Sequence, residues 1–248
     1  APAGLADQAE RLIDFELGWR RNAESYAWGL TAYHMAYKNQ LIPTGALNDV
    51  GASIRQNVPK SQRTGVEMEL GWQVSEAIEL GAQATFSRSR IDQFTEVRYD
   101  YGVNFDEYNE IRVEHQNTDI AFSPRVLWGG QFLWHAVRPQ TPSGVALDIE
   151  WATQHVSDQF MDNTGKDAVL SAYTVSQLRA SLHLPTVKEG KVLDRTRLDV
   201  WVENALDAEY SANGYTYSYA AGPDFYALEN FYYPQAGVNW LAGLKWRF

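Results

Sequence analysis

The sequence contains no cysteine, which excludes a disulfide scaffold and thiolate metal sites and suits an envelope compartment where stray thiols oxidise. It has no run approaching the ~18 consecutive apolar residues of a membrane-spanning helix, and its mean hydropathy is −0.40. If this chain enters a membrane, it does so as a barrel, whose alternating strands escape hydropathy windows. Cations are in deficit: 21 Lys and Arg stand against 31 Asp and Glu, a net charge of −10. A surface that tracks phosphates needs clustered Lys and Arg, so nucleic acid is set aside as a partner. Catalytic signatures are also missing, with no G-x-S-x-G, no H-E-x-x-H, no P-loop and no glycine-rich dinucleotide turn after a strand. The first residues, APAGLADQAER, carry no basic and apolar leader, as expected of a mature chain or of a piece cut from a longer one.

What is present is alternation. With 248 residues, 45% apolar and 13% aromatic, the chain has apolar surface enough for one large β domain. Over residues 11–21, Ile13, Phe15, Leu17 and Trp19 oppose Asp14, Glu16, Gly18 and Arg20. Val66, Met68, Leu70, Trp72 and Val74 oppose Glu67, Glu69, Gly71 and Gln73, and three residues later Ile78, Leu80, Ala82, Ala84 and Phe86 repeat the pattern, which reads as a tight antiparallel hairpin. Similar runs centre on Trp128, Ile149, Leu182 and Val200. In the last run Trp240, Ala242, Leu244, Trp246 and Phe248 share a face, with Lys245 and Arg247 on the other. Between 26 and 41 the parity switches from Trp28 and Leu30 to Tyr33, Met35 and Tyr37, for which a bulge is one explanation.

The fold class read from this pattern is all-β: an antiparallel transmembrane β-barrel, here a partial barrel wall of about nine long strands. Strands that cross a bilayer at a tilt need ~9–11 residues, more than the ~5–6 usual in soluble sheets. Connections alternate between short links at 21–25, 75–77, 137–143 and 186–194 and long ones at 43–57, 95–117, 158–170 and 210–235, as expected of periplasmic turns and external loops. Trp19, Trp72, Trp128, Trp134 and Trp151 near strand ends fit interface girdles. The carboxylate pairs Glu67/Glu69 and Asp148/Glu150 have a glycosidase-like spacing, but nearly every strand carries such pairs on its polar face, and a lumen explains them without catalysis. His34, His115, His135, His155 and His183 lie apart, with no metal-ligand spacing.

Four segments in order, ERLIDFELGWR, NVPKSQRTGVEMEL, VENALDAEYSANGY and ENFYYPQAGVNWLAGLKWRF, resemble the C-terminal part of a TonB-dependent outer-membrane receptor. The resemblance covers nearly the whole chain and implies a twenty-two-stranded barrel in the bacterial outer membrane. It further implies an N-terminal plug and a TonB-engaging segment, neither of which is present in residues 1–248, so the expectation is less than half of a barrel. The aromatic-x-Phe ending, Trp246 and Phe248, resembles the signal read by the barrel-assembly machinery. Implied partners are the TonB complex, engaged through the N-terminal region, that machinery, and a scarce large solute: an iron–siderophore chelate first, cobalamin or a glycan after it.

No cofactor and no metal site are expected, and the reading is a transport receptor rather than an enzyme. A passive porin or structural barrel is the alternative, and a soluble carbohydrate-binding β protein the third. The candidate ligand surface is aromatic: Tyr99, Tyr101, Phe105 and Tyr108 in one long connection, and Tyr215, Tyr217, Tyr219, Phe225 and Tyr226 in another. Such rings stack on a planar or sugar-like ligand while their hydroxyls hydrogen-bond it; packing of the loops on each other is the competing role. Deleting Phe248 is expected to lower the amount of folded receptor in the outer membrane while synthesis stays intact; equal surface levels in the two strains would remove the case for a terminal signal.

Overall fold

The computed structural model describes residues 9–48, 50–140, 144–188 and 191–246. Its strands are β1 (Arg11–Asn22), β2 (Tyr26–Leu47), β3 (Ser53–Ser75), β4 (Ile78–Asp100), β5 (Asn109–Asp119), β6 (Val126–Val137) and β7 (Ala146–Val156), followed by β8 (Gln159–Phe160), β9 (Val169–Leu170), β10 (Tyr173–Lys188), β11 (Lys191–Glu203), β12 (Ser211–Ala220), β13 (Tyr226–Pro234) and β14 (Asn239–Lys245). Nine of them form one continuous wall in the order β1-β2-β3-β4-β6-β7-β10-β11-β14. Every neighbouring pair along it is antiparallel.

Register turns the alternation of single strands into two faces of a sheet. Tyr26 pairs with Trp72, Trp72 with Leu80, Leu80 with Phe132 and Phe132 with Trp151, and the row runs on through Leu178 and Val202 to Trp240. A second row at the other end of the same face carries Trp19, Leu30, Met68, Ala84 and Trp128. The opposite face is polar: Glu69 lies across from Gln83, and Glu150 across from Arg179. From Ile78 to Phe86, β4 holds the apolar face for nine residues paired to β6. At ~3.4 Å per residue and a tilt of ~35–45° that is about 20 Å along a membrane normal, close to the ~25 Å apolar band of outer-membrane barrels.

The parity switch in β2 needs no bulge. One register holds from Ala27 through Lys38 against β1 and from Tyr26 to Pro43 against β3. Tyr33 is simply an aromatic on the polar face, opposite Gly65, where a Cβ would collide with the Tyr33 ring. A bare glycine beneath an aromatic ring recovers contact area that the strand would otherwise lack.

The long connections differ from the sequence expectation. The stretch 43–57 is mostly strand, because β2 runs to Leu47 and β3 begins at Ser53. Likewise 95–117 is the outer end of β4 hairpinned to β5, 158–170 carries β8 and β9, and 210–235 is the β12–β13 hairpin. Outside the band, the sheet closes small cores of its own: Ile42, Val58, Ile91, Phe94 and Ile120 form one, and Met161, Ala168 and Leu170, with Phe122 and Leu228, form another. Asn163, fully buried, ties this region together by accepting from the Ala121 N–H at 2.8 Å and donating to the Pro43 carbonyl at 2.7 Å.

The last strand is shorter than its alternation implies. It ends at Lys245, Trp246 follows it at 63% exposure, and Phe248 lies outside the described residues. Entry into β14 is fixed by the N-A-L-D turn. Asn204, at φ 50°, accepts from the Ala208 N–H and donates to the carbonyls of Ala208 and Ala236, while Asp207 accepts from the Val238 N–H at 2.9 Å. Among the described residues β1 pairs only with β2 and β14 only with β11, so the wall is open. Leu70 sits on the middle row of the apolar face, between Trp28 and Ala82. Leu70→Arg is expected to cost ~2–4 kcal/mol near a bilayer midplane; an unchanged unfolding midpoint in lipid vesicles would place this face elsewhere.

Candidate functional site

At the end of the wall where the long connections lie, the two aromatic segments meet. The outer end of β4 and the end of β12 form a two-residue parallel bridge, Tyr219 with Tyr99 and Ala220 with Asp100. The Tyr101 N–H donates to the Ala220 carbonyl at 2.9 Å. Asp100 clips both turns at once, its Oδ1 accepting from the Gly102 N–H at 2.9 Å and from the Gly222 N–H at 2.8 Å. Those two bonds, Gly222 first, hold its carboxyl below the usual carboxylate range. Both glycines have φ in the left-handed region, 69° and 79°, which a side chain would strain.

Seven of the nine sequence candidates join one ring cluster across this bridge. Tyr99 stacks on Tyr108 at 4.8 Å, and Tyr101 lies 5.9 Å from Tyr108, 6.5 Å from Phe105 and 6.2 Å from Tyr219. Tyr219 in turn meets Phe105 at 6.4 Å, Tyr217 at 5.2 Å and Phe225 at 5.9 Å. Tyr99, Tyr101 and Tyr219 are half-buried and form the base; Phe105, Tyr108, Tyr217 and Phe225 are exposed. Phe105 holds φ 59°, rare for a bulky residue and a mark of local strain at a loop tip. The other two candidates stand apart. Tyr215 stacks on Phe231 at 4.7 Å, and Tyr226 lies under the Arg98 guanidinium at 4.4 Å.

A polar support that the sequence reading did not single out underlies the cluster. Glu96 takes two hydrogen bonds from Arg98, both 2.8 Å, and a third contact from His115 Nε2 at 2.8 Å, with the Ser218 hydroxyl at 3.4 Å. Burial pushes the Glu96 carboxyl up, but the bonds from Arg98 and His115 outweigh it and leave it below its ordinary range. Nearby, burial raises the Asp162 carboxyl despite its bonds from Thr164. The visible signal for this support was Glu96 and Arg98 at i, i+2 on one face of a strand; the partners on β5 and β12 had none.

On the polar face of the wall, histidines that stand apart in the sequence come together. His135 Nδ1 lies 2.7 Å from Asp148 Oδ1 and its Nε2 3.3 Å from Glu79, while His183 Nε2 lies 3.3 Å from Asp148 Oδ2. Among the described residues no three such groups converge as a metal site. The same face bounds an open groove of about 1000 Å³, lined by Glu69, Gln83, Gln131, Glu150, Gln154 and Gln177 among others.

Residues 4–205 match the family model for a TonB dependent receptor-like β-barrel. Among curated proteins none matches the chain. Among solved structures the fold is similar to the ferric yersiniabactin uptake receptor of Yersinia pestis, at 18% identity and TM-score 0.59, covering 94% of this chain and 29% of that one. It is similar also to the ferric preacinetobactin receptor of Acinetobacter baumannii, at 14% identity and TM-score 0.59, covering 98% and 31%. A siderophore receptor of the same organism gives 11% identity and TM-score 0.61, covering 95% and 28%. The chain thus spans less than a third of the length of each of these structures. With the match extending over most of the wall, this chain belongs to the TonB-dependent receptor β-barrel family.

Proposed function

We propose that the chain forms the C-terminal part of the barrel of a bacterial outer-membrane receptor that binds and imports a scarce large solute, an iron–siderophore complex before other solutes. Energy comes through TonB, engaged by an N-terminal region with a plug in the lumen, and the barrel-assembly machinery reads the end at Trp246 and Phe248. The observation that carries the reading is the meeting of two distant aromatic segments in one exposed cluster at the outer end of the wall. The support for iron is that several structures with this fold are receptors for ferric chelates by name. A passive porin has no need of a rim clipped together by one carboxylate, and the family is one of transport receptors. A soluble carbohydrate-binding protein would leave the continuous apolar face without a covering solvent.

In this reading the ligand lies on the exposed rings of Phe105, Tyr108, Tyr217 and Phe225 and on the half-buried Tyr219 that they meet, and is taken inward along the polar face. Tyr217→Ala with Tyr219→Ala is expected to weaken binding of ferric siderophore to the full-length receptor by ~1–3 kcal/mol, taking ~0.5–1.5 kcal/mol for each aromatic contact. Superimposable binding isotherms would demote the cluster to loop packing. Asp100→Ala, which frees the N–H groups of Gly102 and Gly222, is expected to separate the two segments; faster amide exchange at Gly102 and Gly222 with weaker binding would confirm that the clip organises the site.

A further inference from the structure

Between their bordering cations, the two segments that carry the ring cluster hold charge of one sign. Between Arg98 and Arg112 the chain has four carboxylates, Asp100, Asp106, Glu107 and Glu110, and no cation; between Arg197 and Lys245 it again has no Lys or Arg. The two cations that border the first of these segments are already engaged. Arg98 is held by Glu96 and lies on the Tyr226 face, and Arg112 lies 3.5 Å from Glu110. Asp100 is held by its two backbone donors, and Glu107 accepts from Asn109 at 2.7 Å. Asp106 and Asp224 are exposed carboxylates without a hydrogen bond or ion pair among the described residues, and so is Glu229, opposite Tyr217 in the β12–β13 hairpin. Asp106 and Asp224 are each adjacent in sequence to one of the exposed phenylalanines, Phe105 and Phe225, whose rings lie 6.4 Å and 5.9 Å from that of Tyr219.

Resting on the aromatic site proposed above, we infer that its ligand is cationic: a chelate or other large solute that lays an apolar or planar face on the rings and presents a protonated amine between Asp106 and Asp224. Aromatic faces carry negative quadrupole charge and attract cations, as Arg98 over Tyr226 already does here at 4.4 Å. Uncompensated carboxylates act over roughly a Debye length, ~8–10 Å at physiological salt, and these two belong to the residues next to Phe105 and Phe225 in the cluster. The same field raises a barrier to a polyanionic ferric catecholate, because like charge at a binding rim selects by repulsion as well as by attraction.

The test uses the full-length receptor in detergent and three ferric chelates as probes: a linear trihydroxamate bearing one protonated amine, the same chelate with that amine acetylated, and a trianionic tricatecholate. The amine-bearing chelate is expected to bind about threefold to tenfold more tightly than its acetylated form at low salt, and the tricatecholate most weakly. In Asp106→Asn with Asp224→Asn, and in wild type at high salt, the ratio between the two trihydroxamates should fall towards one. Equal affinities for the two, or a preference for the tricatecholate, would overturn the cationic ligand while leaving the aromatic site standing, provided that Tyr217→Ala with Tyr219→Ala still weakens binding. If that pair of substitutions changes no isotherm, the aromatic site itself fails, and this inference with it.

Discussion

A strand set in hydrocarbon has no water to satisfy its N–H and C=O groups, so each one has to find its partner on the next strand. That requirement governs the rest of this chain. It forces long pairings in one register, such as that from Tyr26 to Pro43, and it makes the register of each pair decide which residues meet the membrane. The row from Tyr26 to Trp240 survives eight strands because no shift in pairing between β2 and β14 interrupts it at that level. The open edges of β1 and β14 are the places where the requirement is met by nothing among the described residues, which accords with a wall that is one part of a larger ring.

The same rule explains what could be read from the sequence. Inside the apolar band, one face touches lipid and the other a polar lumen, so the period of two is enforced residue by residue; Val66 to Val74 and Ile78 to Phe86 are legible for that reason. Beyond the band both faces meet water or neighbouring loops, and the constraint lapses. Thr95, Glu96, Val97 and Arg98 have no clean alternation, yet β4 continues through them because β5 supplies the backbone partners. Pro43 reads as a breaker, but it sits within β2 opposite Arg55, with its carbonyl taken by Asn163 from 120 residues away. A contact of that separation leaves no local trace.

The site divides in the same way. That Tyr99 to Tyr108 and Tyr215 to Tyr226 are unusually aromatic is evident from composition. That seven of these nine rings share one cluster, while Tyr215 and Tyr226 do not, follows from a two-residue bridge and one carboxylate acting 122 residues away, Asp100 on Gly222. The histidines obey the same logic: His135 and His183 are distant in sequence and meet at Asp148 only because three strands place them side by side.

β4 has a mechanical character of its own. It is 23 residues long, about 75 Å at ~3.3 Å per residue, and runs from the short-turn end of the wall to the ring cluster while its partner changes from β6 to β5 on the way. As a beam it is laced on both sides as far as Ile91, by β3 and by β6 then β5, and beyond that by β5 alone until the bridge to β12. The β12–β13 hairpin is fastened to it by two paired residues, the Asp100 clip, the Ser218 hydroxyl on Glu96 and the Tyr226 ring under Arg98. The hairpin's backbone ladder to the wall is two residues long where β4 keeps a partner from Ile78 to Asp100, so compliance at the ring cluster belongs to the hairpin and stiffness to the beam.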